Sequence, residues 1–148
     1  FILIIEVNTM RYQKDGQHFL LVLEQGEDIV KEVTQFAQHQ HMKYGSVNGI
    51  GACDYVVLNY YNLKTKKYEK KEINEALELT SLLGNISRID DQPFAHLHGT
   101  FGNQHFETLS GHLTEAVVSA TAEIFITMTD LDINRTFDSQ TGLNLLRP

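Results

Sequence analysis

The stretch PFAHLHGTFGNQHFETLSGHL, Pro93 to Leu113, holds four of the chain's seven histidines and reads as a β-hairpin. Phe94 to Phe101 has the apolar and aromatic content of a strand. Gly102-Asn103 is a turn signal, and His105 to Leu113 supplies a returning partner. Side chains two apart in an extended strand point to one face, so His96 and His98 share a face. Whether His112 joins them depends on register. A tight two-residue turn at Gly102-Asn103 sends it to the other face, while a longer loop or a bulge at Gly111 brings it back.

If the three converge, the chemistry points to metal. Neutral imidazole is a good zinc ligand, and three protein ligands with one open position is the layout of catalytic zinc sites. The plainer reading is a pair of solvated histidines on an exposed strand, and spacing alone leaves both open. His39 and His41 provide an internal contrast. They repeat the same spacing at the end of a helical segment, where residues two apart diverge by about 200°, so they are not expected to share a cation. His18 and His105 have no evident partner in the sequence.

Outward from the hairpin, His18 to Glu24 (HFLLVLE) is a short apolar run of strand type. In the segment that follows, Ile29, Val30, Val33, Phe36 and Ala37 recur at helical spacing. Glu27 and Asp28 sit at its start, and Gly45 is the expected stop. SVNGIGACDYVVLNYYNL reads as extended chain with a glycine-marked bend. Tyr68 to Ile73 and Ala76 to Ile86 suggest two strands, the second ending near Gly84-Asn85, with SRIDDQP as a loop. AEIFITMTD is a strand, INRTFD suggests another, and TEAVVSATA is ambiguous between helix and strand. One helix among many strands predicts an α+β fold with a mostly antiparallel sheet.

The chain of 148 residues is long enough for one domain with a sizeable core, and residues 10–148 read as that domain. The opening apolar run is too short to span a bilayer and lacks the cationic flank of a signal peptide. Residues 1–9 are expected to be upstream or non-native sequence, and no membrane association is expected. The single cysteine, Cys53, excludes an internal disulfide framework and fits a small buried apolar residue in a cytoplasmic protein.

The net charge of −7, from 12 Lys+Arg against 19 Asp+Glu, argues against general affinity for nucleic acid. The segment KTKKYEKKE, Lys64 to Glu72, is the local exception. It reads either as a phosphate-contacting patch beside Tyr60, Tyr61 and Tyr68, or as a solvated hairpin whose lysines discourage edge pairing. The second reading fits better, because no arginine is present for base readout. Among the carboxylates, Glu78 shares strand parity with Ala76 and Thr80, and Glu115 follows His112 by three residues. Either is a candidate fourth ligand, outer partner of a ligand, or general base, against the plainer reading of an exposed acid. No nucleophile elbow or phosphate-binding loop is present, and GIGA (Gly49 to Ala52) is too short for a dinucleotide fingerprint.

Taken in order, these segments resemble the plant-and-prokaryote conserved (PPC) domain family. The resemblance is carried by GED before the helix, VNGIGA after it, then LELTSLLGNIS, PFAHLHGTFG, SGHL, TAEIFI, and a terminal pattern of Arg, Asp, Gly and Leu opening at Arg135. It covers nearly everything from Met10 onward. It implies an antiparallel α+β domain that assembles as a homotrimer, and the label of predicted DNA-binding protein. It also implies zinc or a similar divalent metal on His96, His98 and His112. In this chain Ser110 replaces the first glycine of the family's Gly-Gly-His, a change that bears on the expected bulge. The minor-groove hook of the plant members is missing, which leaves DNA as a partner that the charge does not support. The fold and three-histidine arrangement are also similar to acetolactate decarboxylase and to zinc-dependent ester hydrolases. That likeness implies the alternative of a zinc-dependent enzyme acting on a small carbonyl or ester substrate.

Overall fold

The computed structural model describes residues 10–148, and the expectation for residues 1–9 lies outside them. It opens with a hairpin that the sequence conceals. β1 (Arg11–Asp15) pairs antiparallel with β2 (His18–Glu24) across a two-residue turn in which Gly16 takes φ 58°. Every β1 residue is exposed, so RYQKD carries no apolar alternation to reveal it. In β2, by contrast, Phe19, Leu21 and Leu23 alternate into the core.

The helix forms where expected. Asp28 caps α1 (Ile29–His39) by accepting the Val30 N–H at 3.2 Å. The same carboxylate oxygen accepts the Ala116 N–H at 3.0 Å and ties the cap to the sheet. Ile29, Val33, Phe36 and Ala37 are buried against the strands. The stop comes before Gly45. His41 adopts φ 52°, and the Met42 N–H closes on the Ala37 carbonyl at 2.9 Å. That is a helix terminus built without glycine, and it leaves Gly45 to enter the next strand.

β3 (Tyr44–Asn62), β4 (Lys67–Ile73), β5 (Leu77–Ile89), β6 (Gln92–Gly102) and β7 (Thr108–Thr129) complete a sheet of order β1-β2-β7-β6-β5-β3-β4. A further pairing of β7 with β3 closes β3, β5, β6 and β7 into a barrel. The length of β7 resolves the ambiguous TEAVVSATA. This segment is the middle of one strand, held by β3 opposite Ala116 and Val118, and those two side chains are fully buried. Cross-strand pairing overrides the helix preference of alanine.

SRIDDQP is likewise mostly strand. Ile89 pairs with Gln92, so only Asp90 and Asp91 form the turn, both left-handed at φ 49° and 62°. Two left-handed residues match the right-handed twist of a hairpin. The chain ends with β8 (Arg135–Asp138) and β9 (Leu143–Leu146), a two-stranded unit. The observed class is the expected α+β, with a mostly antiparallel sheet and a single helix among the described residues. No helix among them is long and apolar enough to cross a membrane. Cys53 is buried, and burial pushes its thiol up to about 12, with Asp54 and Asp28 adding to the effect. It stays protonated and unreactive, as a packing residue should.

Candidate metal centre

Loop length decides the register left open by the sequence. Gly102 pairs with Thr108, so residues 103–107 form a five-residue loop. Asn103 organises it: its side-chain oxygen accepts the N–H groups of His105 (2.9 Å) and Glu107 (3.0 Å). With that loop, Gly99 faces Gly111 and His98 lies directly opposite His112, with no bulge in this ladder. Ser110 faces Thr100 on the exposed surface, so replacing a glycine there leaves the pairing unshifted.

Opposed residues share a face of the sheet, and His96 shares it by strand alternation. Leu97, between the two, is fully buried in the barrel interior. One ring nitrogen from each of His96, His98 and His112 lies within 4.8 Å of the others. The ring centroids are 5.2, 5.2 and 5.5 Å apart. Nitrogens sharing one tetrahedral zinc stand about 3.4 Å apart, so small ring movements suffice to seat a cation.

The electrostatics suit this purpose. His96 is brought down to about 4 by burial first, then by the Arg135 charge and the other two imidazoles. His112 is lowered by burial first, then by His98 and Arg135. Both rings therefore keep a free lone pair at neutral pH, as metal ligation requires. Tyr68 stacks on His112 with centroids 5.4 Å apart and lends the site an aromatic wall.

The carboxylates do not join this cluster. Glu78 pairs with Gly102, at the far end of β5 from Asn85 and His96, and lines a separate cavity of about 580 Å³ with Ile50 and Thr80. Glu115 pairs with Val57 and lies outside the group of potential ligands. The side chain that reaches the histidines is Arg135, whose Nη2 stands 3.2 Å from His96 Nδ1. An arginine only donates, so this nitrogen accepts. A cation on that ring ends the contact either way: it takes Nδ1 itself, or it takes Nε2 and the proton moved to Nδ1 leaves no lone pair to accept from Arg135. Sequence reading marked Arg135 only as the start of a terminal pattern, and Tyr68 only as part of a lysine-rich segment.

The remaining histidines stay apart. His39 and His41 are both exposed, and neither joins a potential metal group. His18 hydrogen-bonds Thr127 at 3.1 Å, and His105 is exposed in the hairpin loop.

A closed antiparallel barrel with three outward imidazoles on one hairpin defines a class of β-rich domain with a candidate metal centre. The chain belongs to the Plants and Prokaryotes Conserved (PCC) domain family, whose model matches residues 10–130. It is similar to a presumed DNA-binding protein of Bacteroides thetaiotaomicron, with 33% identity, a TM-score of 0.91, and coverage of 93% of this chain and 96% of that one. It is also similar to a metal-containing protein of Archaeoglobus fulgidus, with 35% identity, a TM-score of 0.83, and coverage of 94% and 98%. The α-acetolactate decarboxylase of Bacillus subtilis shares the fold alone, at 10% identity and a TM-score of 0.52, covering 74% of this chain and 51% of that one. No curated protein matches in sequence.

Proposed function

We propose that this PCC-domain protein is a metal-binding homotrimer that holds zinc or a similar divalent cation on His96, His98 and His112. The carrying observation is the three-imidazole cluster, with two of its rings kept neutral by burial. The metal-containing relative supports the reading. Bound there, zinc supplies Lewis acidity toward a carbonyl or a bound water. The chain's own residues position and wall the site: the β6–β7 register brings the rings together, and Tyr68 packs on one of them. Elemental analysis of protein purified without a histidine tag is expected to give about one metal per chain. Metal-free wild type that takes up none on titration sinks the reading.

The trimer is supported by one face of the barrel. Phe125 and Leu83 both lie opposite Asn48, and Leu83 in turn lies opposite His98, so one row crosses the sheet. Ile50, Leu83 and Phe125 are 56%, 58% and 52% exposed, an apolar surface beside the candidate site. Covering such a face with further copies removes it from water. Phe125→Asp is expected to lower the mass in solution about threefold by light scattering. An unchanged mass, or a monomeric wild type, counts against the trimer.

A second reading is DNA binding, favoured by the presumed role of the Bacteroides relative and by β4. Lys67, Lys70 and Lys71 are exposed on it, and Lys64 and Lys66 are exposed in the turn before it. Lys70 is paired with Glu72, and Lys66 donates to the Ser139 carbonyl, so Lys64, Lys67 and Lys71 remain for phosphates among the described residues. Three such contacts predict a gel shift that weakens with salt with a log–log slope of about −2.7 and disappears in Lys67→Glu/Lys71→Glu. A wild-type chain that shifts no duplex at low salt retires this reading.

A further inference from the structure

Two of the three histidines, His96 and His112, border a cavity of about 370 Å³. Its walls are Ile89, Phe94, Leu143 and Leu145, with Tyr68, His96 and His112 to one side. Arg135 also lines it, and that arginine is only 8% exposed. Burying a cation is costly unless something offsets the charge. Arg135 has no carboxylate within ion-pair distance among the described residues, although acids outnumber bases in the chain.

What Arg135 has instead is a set of neutral acceptors. Nε donates to Ser87 Oγ at 2.8 Å and Nη1 to the Asn144 carbonyl at 3.2 Å. Nη2 donates to Asn85 Oδ1 at 2.9 Å and to His96 Nδ1 at 3.2 Å. Two of these bonds clamp β8 onto β5 and a third ties β8 to β9, and a structural role accounts for them. That role does not account for a charged fork facing an apolar cavity whose lining contains no acid. The ring nitrogen of His96 is a neutral acceptor, and a carboxylate oxygen accepts from guanidinium far more strongly.

We infer that this cavity is a binding site for a small organic carboxylate, its charged end on Arg135 and its short apolar tail against Ile89, Phe94, Leu143 and Leu145. The apolar walls select against inorganic phosphate, and the cavity volume suits a small acid of a few carbons. The site adjoins the proposed metal centre but stands on the cavity and the unpaired charge, not on the cation.

The test is calorimetric titration with butyrate, its neutral analogue butyramide, and inorganic phosphate, each against chelator-treated and zinc-loaded protein. Butyrate is expected to bind both forms, about tenfold or more tighter than either comparison ligand. Arg135→Gln is expected to weaken butyrate about tenfold or more. Because that variant also loosens the β8–β9 clamp, Leu145→Trp serves beside it, filling the cavity while leaving Arg135 in place, and is expected to abolish butyrate binding. Equal affinity for butyramide, tighter binding of phosphate, no butyrate binding to wild type, or full butyrate affinity in Arg135→Gln each overturns the assignment. Binding of butyrate only to the zinc-loaded form, retained in Arg135→Gln, also overturns it, because the anion then sits on the metal. Failure to load zinc while butyrate still binds counts against the metal reading and leaves this one supported.

Discussion

Replacing His98 by alanine is expected to yield a folded protein that no longer retains a divalent cation through dialysis. His98 is exposed and on the outer face of the barrel, so removing its ring leaves the buried packing around Leu97 intact. The metal-free variant should therefore melt where the metal-free wild type does. Losing one of three ligands is a different matter. Changes merely in the partners of ligands cost tenfold to a hundredfold in affinity, so loss of a ligand itself should cost on the order of a hundredfold or more. The added stability that metal confers should vanish with it. For wild type at a hundredfold excess over its dissociation constant, that increment is about 2.7 kcal/mol. His39→Ala, His41→Ala and His105→Ala serve as controls, since none of these residues belongs to the cluster. If His98→Ala holds as much metal as wild type, the cluster is not the site.

How much of this was legible in the sequence depends on where the information sits. The period-two rule placed His96 and His98 on one face, and the structure agrees, because strand alternation is local backbone geometry. The helix, from its spacing of apolar residues, and the strand character of HFLLVLE were legible for the same reason. The position of His112 was not, because it depends on a five-residue loop stabilised by the Asn103 side chain rather than on any pattern of apolar residues. β1 was invisible because an exposed edge strand has no buried face to advertise it. TEAVVSATA stayed ambiguous until β3 was seen beside it. Arg135 was the largest omission among site residues. It arrives from β8, more than twenty residues beyond His112, and only the docking of β8–β9 brings it to His96. Neither carboxylate is among the grouped ligand atoms, although pairing opposite Val57 keeps Glu115 on the same face of the sheet as His112.

The same distinction between local and cross-strand information governs the second large effect, at Gly84. The sequence reads this glycine as the end of a strand, yet β5 continues through it to Ile89. Gly84 lies opposite Leu97, flanked by the pairs Leu83–His98 and Asn85–His96. A Cβ added there would stand 2.0 Å from the His96 carbonyl oxygen and 2.9 Å from the Leu97 Cα. Both neighbours are backbone, so no side chain can swing aside, and β6 must separate from β5 to admit even a methyl group. Gly84→Ala is therefore expected to destabilise the fold by about 3 kcal/mol or more and to lower Tm by roughly 10 °C. It should also weaken metal retention, because the strand forced outward is the one carrying His96 and His98. Gly102→Ala is the matched control on β6: its added Cβ meets only the Thr80 methyl, at 3.9 Å, and a change within about 1 kcal/mol is expected. Thermal melts of the two variants, each with and without added zinc, separate the backbone effect from the ligand effect. A Gly84→Ala protein that melts with wild type would mean that β5 and β6 are not held this close. In that case the placement of the two histidines against His112 would need to come from the β6–β7 ladder alone.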